Sequence, residues 1–230
     1  MDYKLYRKII ALLLVAVLQQ LSLQAQTPQQ WRDSLRVLNK EIAQSAWNTD
    51  LHLRKAAVNL ELQQWQYAVD EYGLILQHEA QNPAALFYRA YASTHLRHYD
   101  VARRDYEELL QIFPRHHEAR FSLAYVLQVM GKKKDALDQL NQLIELCPDS
   151  AIYYASRAGL ERELNQYEAA LYDWQQAIDR QPTEADYVAS QVDLLLSLRR
   201  QDEARRSLDA AVRRGIPRGL LNAWYRRLKK

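Results

Sequence analysis

Glycine and proline are scarce in this chain. Its 230 residues include 5 Gly and 6 Pro, where ordinary usage gives roughly twice as many or more. So few turn formers leave room for only short connections, which disfavours a β-rich fold of many hairpins. No series of β-branched strands recurs at regular spacing either. Cysteine occurs once, as Cys147, so no internal disulfide can form. The sequence around it supplies no base or electropositive niche for a catalytic thiol. Cys147 therefore reads as a small, largely buried apolar residue before Pro148. An excess of one charge is lacking too, because the formal net charge is +3. That alone is too small to mark a nucleic-acid footprint. With 48% hydrophobic and 26% charged residues, the chain is globular rather than disordered.

A long apolar run is also missing. Ile9–Leu18, "IIALLLVAVL", has ten residues, against about 20 for a membrane span. Lys4, Arg7 and Lys8 precede it, and "QQLSLQA" follows, with small Ala25 at a cleavage position. Residues 1–25 thus read as a signal peptide of the Sec type, and the mature chain is expected to begin at Gln26. No Cys lies near the cleavage point, which excludes a lipoprotein anchor. No Arg-Arg pair stands in the n-region, which disfavours twin-arginine export. The alternative is an uncleaved membrane anchor that borrows Leu21 and Leu23. The segment, ending in "LQAQ", is similar to those of exported Bacteroidetes proteins, and the expected location is the periplasm. Removing residues 1–25 leaves 28 basic and 27 acidic residues, a net charge of +1.

Catalytic motifs are absent as well. There is no G-x-S-x-G elbow, no glycine-rich phosphate loop and no H-E-x-x-H. His95 and His98 fall at one end of a helical pair, and His116 and His117 at the other. About 13 residues at 1.5 Å each separate the two groups by roughly 20 Å, too far for a shared metal. No pair of carboxylates stands out as acid and base. The reading is therefore non-enzymatic, with no cofactor and no metal. Arg-Arg pairs at 103–104, 199–200, 205–206, 213–214 and 226–227 raise nucleic-acid binding as a third class. Export and a mature charge near zero argue against it.

What the chain does have is a period. Ala68, Ala102, Ala136, Ala170 and Ala204 are each 34 residues apart. Four residues after them come Tyr72, Tyr106, Leu140, Trp174 and Leu208, and seven after, Ile75, Leu109, Leu143, Ala177 and Ala211. Spacing of i, i+4, i+7 is one face of a helix. Pro114, Pro148 and Pro182 end three of these helices. Twelve residues before each alanine stands a small or β-branched residue: Ala56, Ala90, Ala124, Ala158 and Val192. Each unit is thus two helices and a short turn, with small residues where the helices approach.

The pattern resembles the tetratricopeptide repeat family, over residues 49–218. The register gives five units: 49–82, 83–116, 117–150, 151–184 and 185–218. Residues 26–48 form an N-terminal helix, with Trp31, Leu35, Leu38 and Ile42 on one face and Thr27 and Pro28 at its start. Residues 219–230 form a C-terminal capping helix, with Leu220, Leu221, Trp224 and Leu228 on one stripe. The chain departs from the family by lacking its early Trp, where it has His52, Leu86, Arg120 and Tyr154. Only one unit has the turn glycine, Gly131. The resemblance implies an all-α, right-handed α-solenoid whose first helices line a groove for a protein or peptide partner. In that groove it places Phe87, Tyr91, Phe121 and Tyr125, bordered by Ala155 and Gly159. The family's clamp for a C-terminal carboxylate would need Lys and Asn where this chain has Leu53 and Ala57, so that ligand is not expected. The expected function is a non-catalytic interaction scaffold of the cell envelope. The alternative is a membrane-tethered assembly factor.

A second regularity pairs charges. Arg89 and Asp105 lie 16 apart, as do Arg157 and Asp173, and Lys55 and Glu71. Residues equidistant from the turn of an antiparallel helix pair face each other. These charges are therefore expected to be structural ion pairs.

Overall fold

The structure, a computed structural model, describes residues 27–228. The expected signal segment, residues 1–25, lies outside the described residues, as do Lys229 and Lys230. Among the described residues there are twelve α-helices and no strand. The chain divides into two compact lobes, the first ending at Glu71 and the second beginning at Tyr72.

The N-terminal lobe holds α1 (Pro28–Gln44), α2 (Thr49–Glu61) and the start of α3 (Trp65–His78). Helix α1 opens on a capping box. Thr27 Oγ1 accepts from the Gln30 amide at 3.3 Å, and Gln30 Oε1 accepts from the Thr27 amide at 2.7 Å. Two of the amide donors that a helix start leaves unpaired are so satisfied. Pro28 occupies the first helical position, where it loses no hydrogen bond. α1 packs against α2. Leu38 is buried, while Trp31, Leu35 and Ile42 are half-buried. Asn48 caps α2 by accepting from the Leu51 amide at 3.2 Å.

The C-terminal lobe continues α3 and adds α4 (Pro83–His95), α5 (Tyr99–Ile112), α6 (His117–Val129), α7 (Lys133–Leu146), α8 (Ala151–Glu163), α9 (Tyr167–Arg180), α10 (Ala185–Ser197), α11 (Gln201–Arg213) and α12 (Arg218–Arg227). Four helix pairs follow one another, α4/α5, α6/α7, α8/α9 and α10/α11. The second helix of each pair also packs on the first helix of the next. This is an all-α stack of helix-turn-helix units. Its core follows the period. Ala102, Ala136, Ala170 and Ala204, the residues four and seven places after each, and Ala90, Ala124, Ala158 and Val192 are all at most 3% exposed. Small residues at the crossings let two helix axes come close, and any added methylene there would force the pair apart.

The turns explain how so little glycine suffices. Arg97, Gly131, Asn165 and Arg199 in this lobe, and Gln63 in the other, all have φ between 54° and 76°. Each occupies the same place, just after a first helix. The next residue then closes a six-residue loop back onto the helix: His98 to Ser93, Lys132 to Leu127, Gln166 to Glu161 and Arg200 to Leu195, at 2.8–2.9 Å. That bond satisfies a helix-end carbonyl and demands a left-handed residue. Gly131 meets the demand without strain and Asn165 at small cost, whereas Gln63, Arg97 and Arg199 are strained.

The same register sets the charges across two of these pairs. Arg89 donates to both oxygens of Asp105, Nε to Oδ2 at 2.7 Å and Nη2 to Oδ1 at 2.6 Å. Arg157 does the same to Asp173 at 2.5 and 2.9 Å, and its Nη1 donates to Asn141 at 2.8 Å. In the N-terminal lobe Lys55 Nζ lies 2.6 Å from Glu71, which His52 also contacts. In the last pair Ser207 donates to Gln191 at 2.7 Å, a neutral bond in the place of the ion pair.

Two expectations are corrected. Leu220 is 61% exposed, whereas Leu221 and Leu228 are buried and Trp224 is half-buried. The apolar stripe of α12 starts at Leu221, because adjacent helical residues point about 100° apart. Cys147 is half-buried rather than largely buried, and it has a base beside it: His117 Nδ1 lies 3.3 Å from its Sγ.

Candidate functional site

Helices α4 and α6, the first helices of successive pairs, lie side by side. Between them, at the turn end of α4 and the middle of α6, opens a cleft of about 580 Å³. Its walls are Tyr91, Thr94 and His95 of α4 and Phe121, Ser122 and Tyr125 of α6, with Arg97 and Tyr99 at the turn and Tyr106 of α5 beneath. Residues four apart on a helix share a face. Phe121 and Tyr125 therefore project together, as do Tyr91 and His95, whose rings meet edge to face at 4.7 Å.

The floor is fixed. Tyr106 is 1% exposed, and the hydroxyl side chains of Thr94 and Ser122 line the cleft beside it. Burial pushes its phenol up to about 12, so it stays neutral. Thr94 is held in turn by donating to the Ala90 carbonyl at 2.8 Å. The walls are open: Tyr91 is 40% exposed and Tyr125 54%. Exposed rings over a buried polar floor suit an inserted apolar side chain, because tyrosine buries its ring at low entropic cost and keeps its hydroxyl wet.

Of the six residues expected to form or border a groove, the cleft brings together Tyr91, Phe121 and Tyr125. Phe87 lies elsewhere. It stacks on His116 at 5.2 Å and meets Tyr106 edge-on at 5.9 Å, in the packing between pairs. Phe121 serves both roles, since it lines the cleft and also packs on Tyr153 at 5.3 Å. Ala155 is half-buried against the core of the last pairs. Gly159 is half-buried with open space where a Cβ would stand. Thr94, His95, Arg97, Tyr99, Tyr106 and Ser122 were not singled out from sequence. Thr94 and His95 occupy places that face the groove in the resembled family. Tyr106 carried only the signal of a core residue.

Other sites carry less. A cleft of about 720 Å³ lies between α1 and α2, where Asp33, Arg54 and Glu61 mix both charges among Trp31, Val37 and Leu38. Glu161 is 7% exposed, and burial with the neighbouring Asp173 raises its carboxyl to about 7. Among the described residues no group of three His, Cys, Asp or Glu is placed to hold a metal. None of the described helices is long and apolar enough to cross a membrane.

Residues 95–160, which include part of this cleft, match the family model described as tetratricopeptide repeat. The fold is that of the tetratricopeptide repeats. Solved structures agree along much of the chain. MamA is 16% identical with a TM-score of 0.67, covering 72% of this chain and 91% of its own. YrrB, a TPR protein with an unusual peptide-binding site, is 17% identical with a TM-score of 0.64, covering 81% and 96%. A tetratricopeptide repeat protein from Parabacteroides merdae is 18% identical with a TM-score of 0.59, covering 88% and 79%. No curated protein matches the chain. Proteins of the tetratricopeptide-repeat fold generally mediate protein–protein interaction, and the family is typically non-catalytic.

Proposed function

We propose that this protein is a non-catalytic interaction module of the cell envelope that binds a segment of a partner protein in the cleft between α4 and α6. The observation that carries the reading is the pair of exposed tyrosines, Tyr91 and Tyr125, lining one cleft with the buried Tyr106 beneath them. Burying one ring contributes about 1.5–3 kcal/mol, so its loss weakens binding by roughly ten- to a hundredfold. The test is capture of partners from the native envelope by the wild-type chain and by Tyr91→Ala and Tyr125→Ala, with thermal melts alongside. Capture lost by variants that melt like the wild type supports the cleft. Undiminished capture by a folded double variant sinks it.

The N-terminal sequence supports export to the periplasm, with Gln26 as the first mature residue. N-terminal sequencing of protein from the native host tests this. The apolar stretch from Ile9, extended by Leu21 and Leu23, favours a second reading, a membrane-tethered assembly factor. A chain that starts at Met1 in the membrane fraction would establish that reading and overturn the first.

A further inference from the structure

The cleft differs in charge from its surroundings. No carboxylate lines it, and its one permanent charge is Arg97, at the turn end. Arg97 is exposed and has no ion-pair partner among the described residues. The next turn along also carries cations. Lys132 and Lys134 are exposed and without ion-pair partners there, while Lys133 between them is held 3.0 Å from Glu163. The nearby carboxylates Asp100 and Asp135 sit in the first turns of α5 and α7, where the helix N-termini already stabilise them. Arg97 is therefore an uncompensated cation at one end of an aromatic cleft, and Lys132 and Lys134 stand uncompensated at the following turn.

We propose that the cleft recognises an internal segment of a partner protein in which a large apolar or aromatic residue is followed by aspartate or glutamate. The apolar side chain enters between Tyr91, Phe121 and Tyr125. The acidic side chains meet Arg97 and the lysines of the following turn. This rests on the cleft being the binding site and adds the chemistry of its occupant. A cation left unpaired in the free protein gains a charge-assisted hydrogen bond on binding and loses none. The same cations steer an acidic segment towards the cleft, in a manner that salt suppresses.

The probe is a random peptide library displayed on phage, with no free peptide C-terminus, selected on the full chain. Enriched peptides that join an aromatic or long aliphatic residue to Asp or Glu are expected. In a synthetic copy with blocked ends, Asp→Asn replacement is expected to weaken binding by about three- to tenfold, as is Arg97→Gln in the protein. Tyr125→Ala is expected to abolish the enrichment. Neutral or basic peptides whose selection still depends on Tyr125 would overturn the acidic partner and leave the cleft standing. Peptides whose selection survives Tyr91→Ala and Tyr125→Ala, or no enrichment at all, would overturn both. Melting curves of each variant confirm that the comparison is between folded proteins.

Discussion

Arg157 holds Asp173 through two hydrogen bonds of 2.5 and 2.9 Å while its Nε stays 4.0 Å from Glu161. Glu161 Oε2 is buried without a hydrogen-bond partner. One guanidinium thus faces two carboxylates and satisfies one. Burial, then repulsion from Asp173, raises the Glu161 carboxyl to about 7, and Arg157 lowers it only in part.

A pH dependence follows from that geometry. The unfolded chain releases the Glu161 proton near its ordinary value of 4.5, whereas the folded chain keeps it to about 7. Between these values the folded state binds more protons, so stability falls as pH rises through that window, and the full penalty applies above it. Glu161→Gln is expected to stabilise the protein by about 1–3 kcal/mol at pH 8 and to change little at pH 4.5. Urea unfolding at the two pH values checks this. An equal effect at both would show that Glu161 is not the titrating group.

The ion pairs and their neutral counterpart should differ in cost. Asp105 and Asp173 are almost wholly buried. Asp105→Ala or Asp173→Ala strands a guanidinium among packed helices and is expected to cost about 3–5 kcal/mol. Ser207→Ala, which removes only the bond to Gln191, is expected to cost about 1 kcal/mol. Denaturant midpoints of the three variants decide the order. Equal costs would mean that the charges are screened.

The turns offer a test in both directions. A Cβ on Gly131 would meet nothing within 4 Å, so any cost of Gly131→Ala is conformational. With φ at +76°, that cost is expected to be about 1 kcal/mol. Arg199→Gly, at φ +60°, is expected to stabilise by up to about 1 kcal/mol. Thermal melts of both variants read the two signs.

The aromatic residues of α4 and α6 should separate by role. Phe87→Ala removes a ring packed on His116 and Tyr106 and is expected to cost about 3 kcal/mol. Tyr125→Ala removes a ring that is 54% exposed and is expected to shift the melting temperature by no more than a few degrees. A large loss from Tyr125→Ala would make that ring cement between repeats rather than a binding wall.

The 34-residue period was enough to set the helices, their pairing, the buried columns and the partners of Arg89 and Arg157. Those features follow from local periodicity and from mirror symmetry about a turn, and both are written along a single strand of text. The sequence also marked Tyr91, Phe121 and Tyr125 for one face of their helices. Tertiary structure decided the rest. Phe87 shares the register of Phe121 but turns into the packing beside His116, because ring orientation depends on the neighbouring pair. Cys147 meets His117 although 30 residues separate them, since each second helix returns the chain to where its first helix began. Tyr106 became part of a cleft only when Thr94 and Ser122, from two different pairs, were brought beside it. Arg97 gained its place at the mouth of the cleft from a left-handed turn that its side chain does not favour. Contacts between repeats depend on how close two helices come, and that distance is fixed by the packing of every side chain between them.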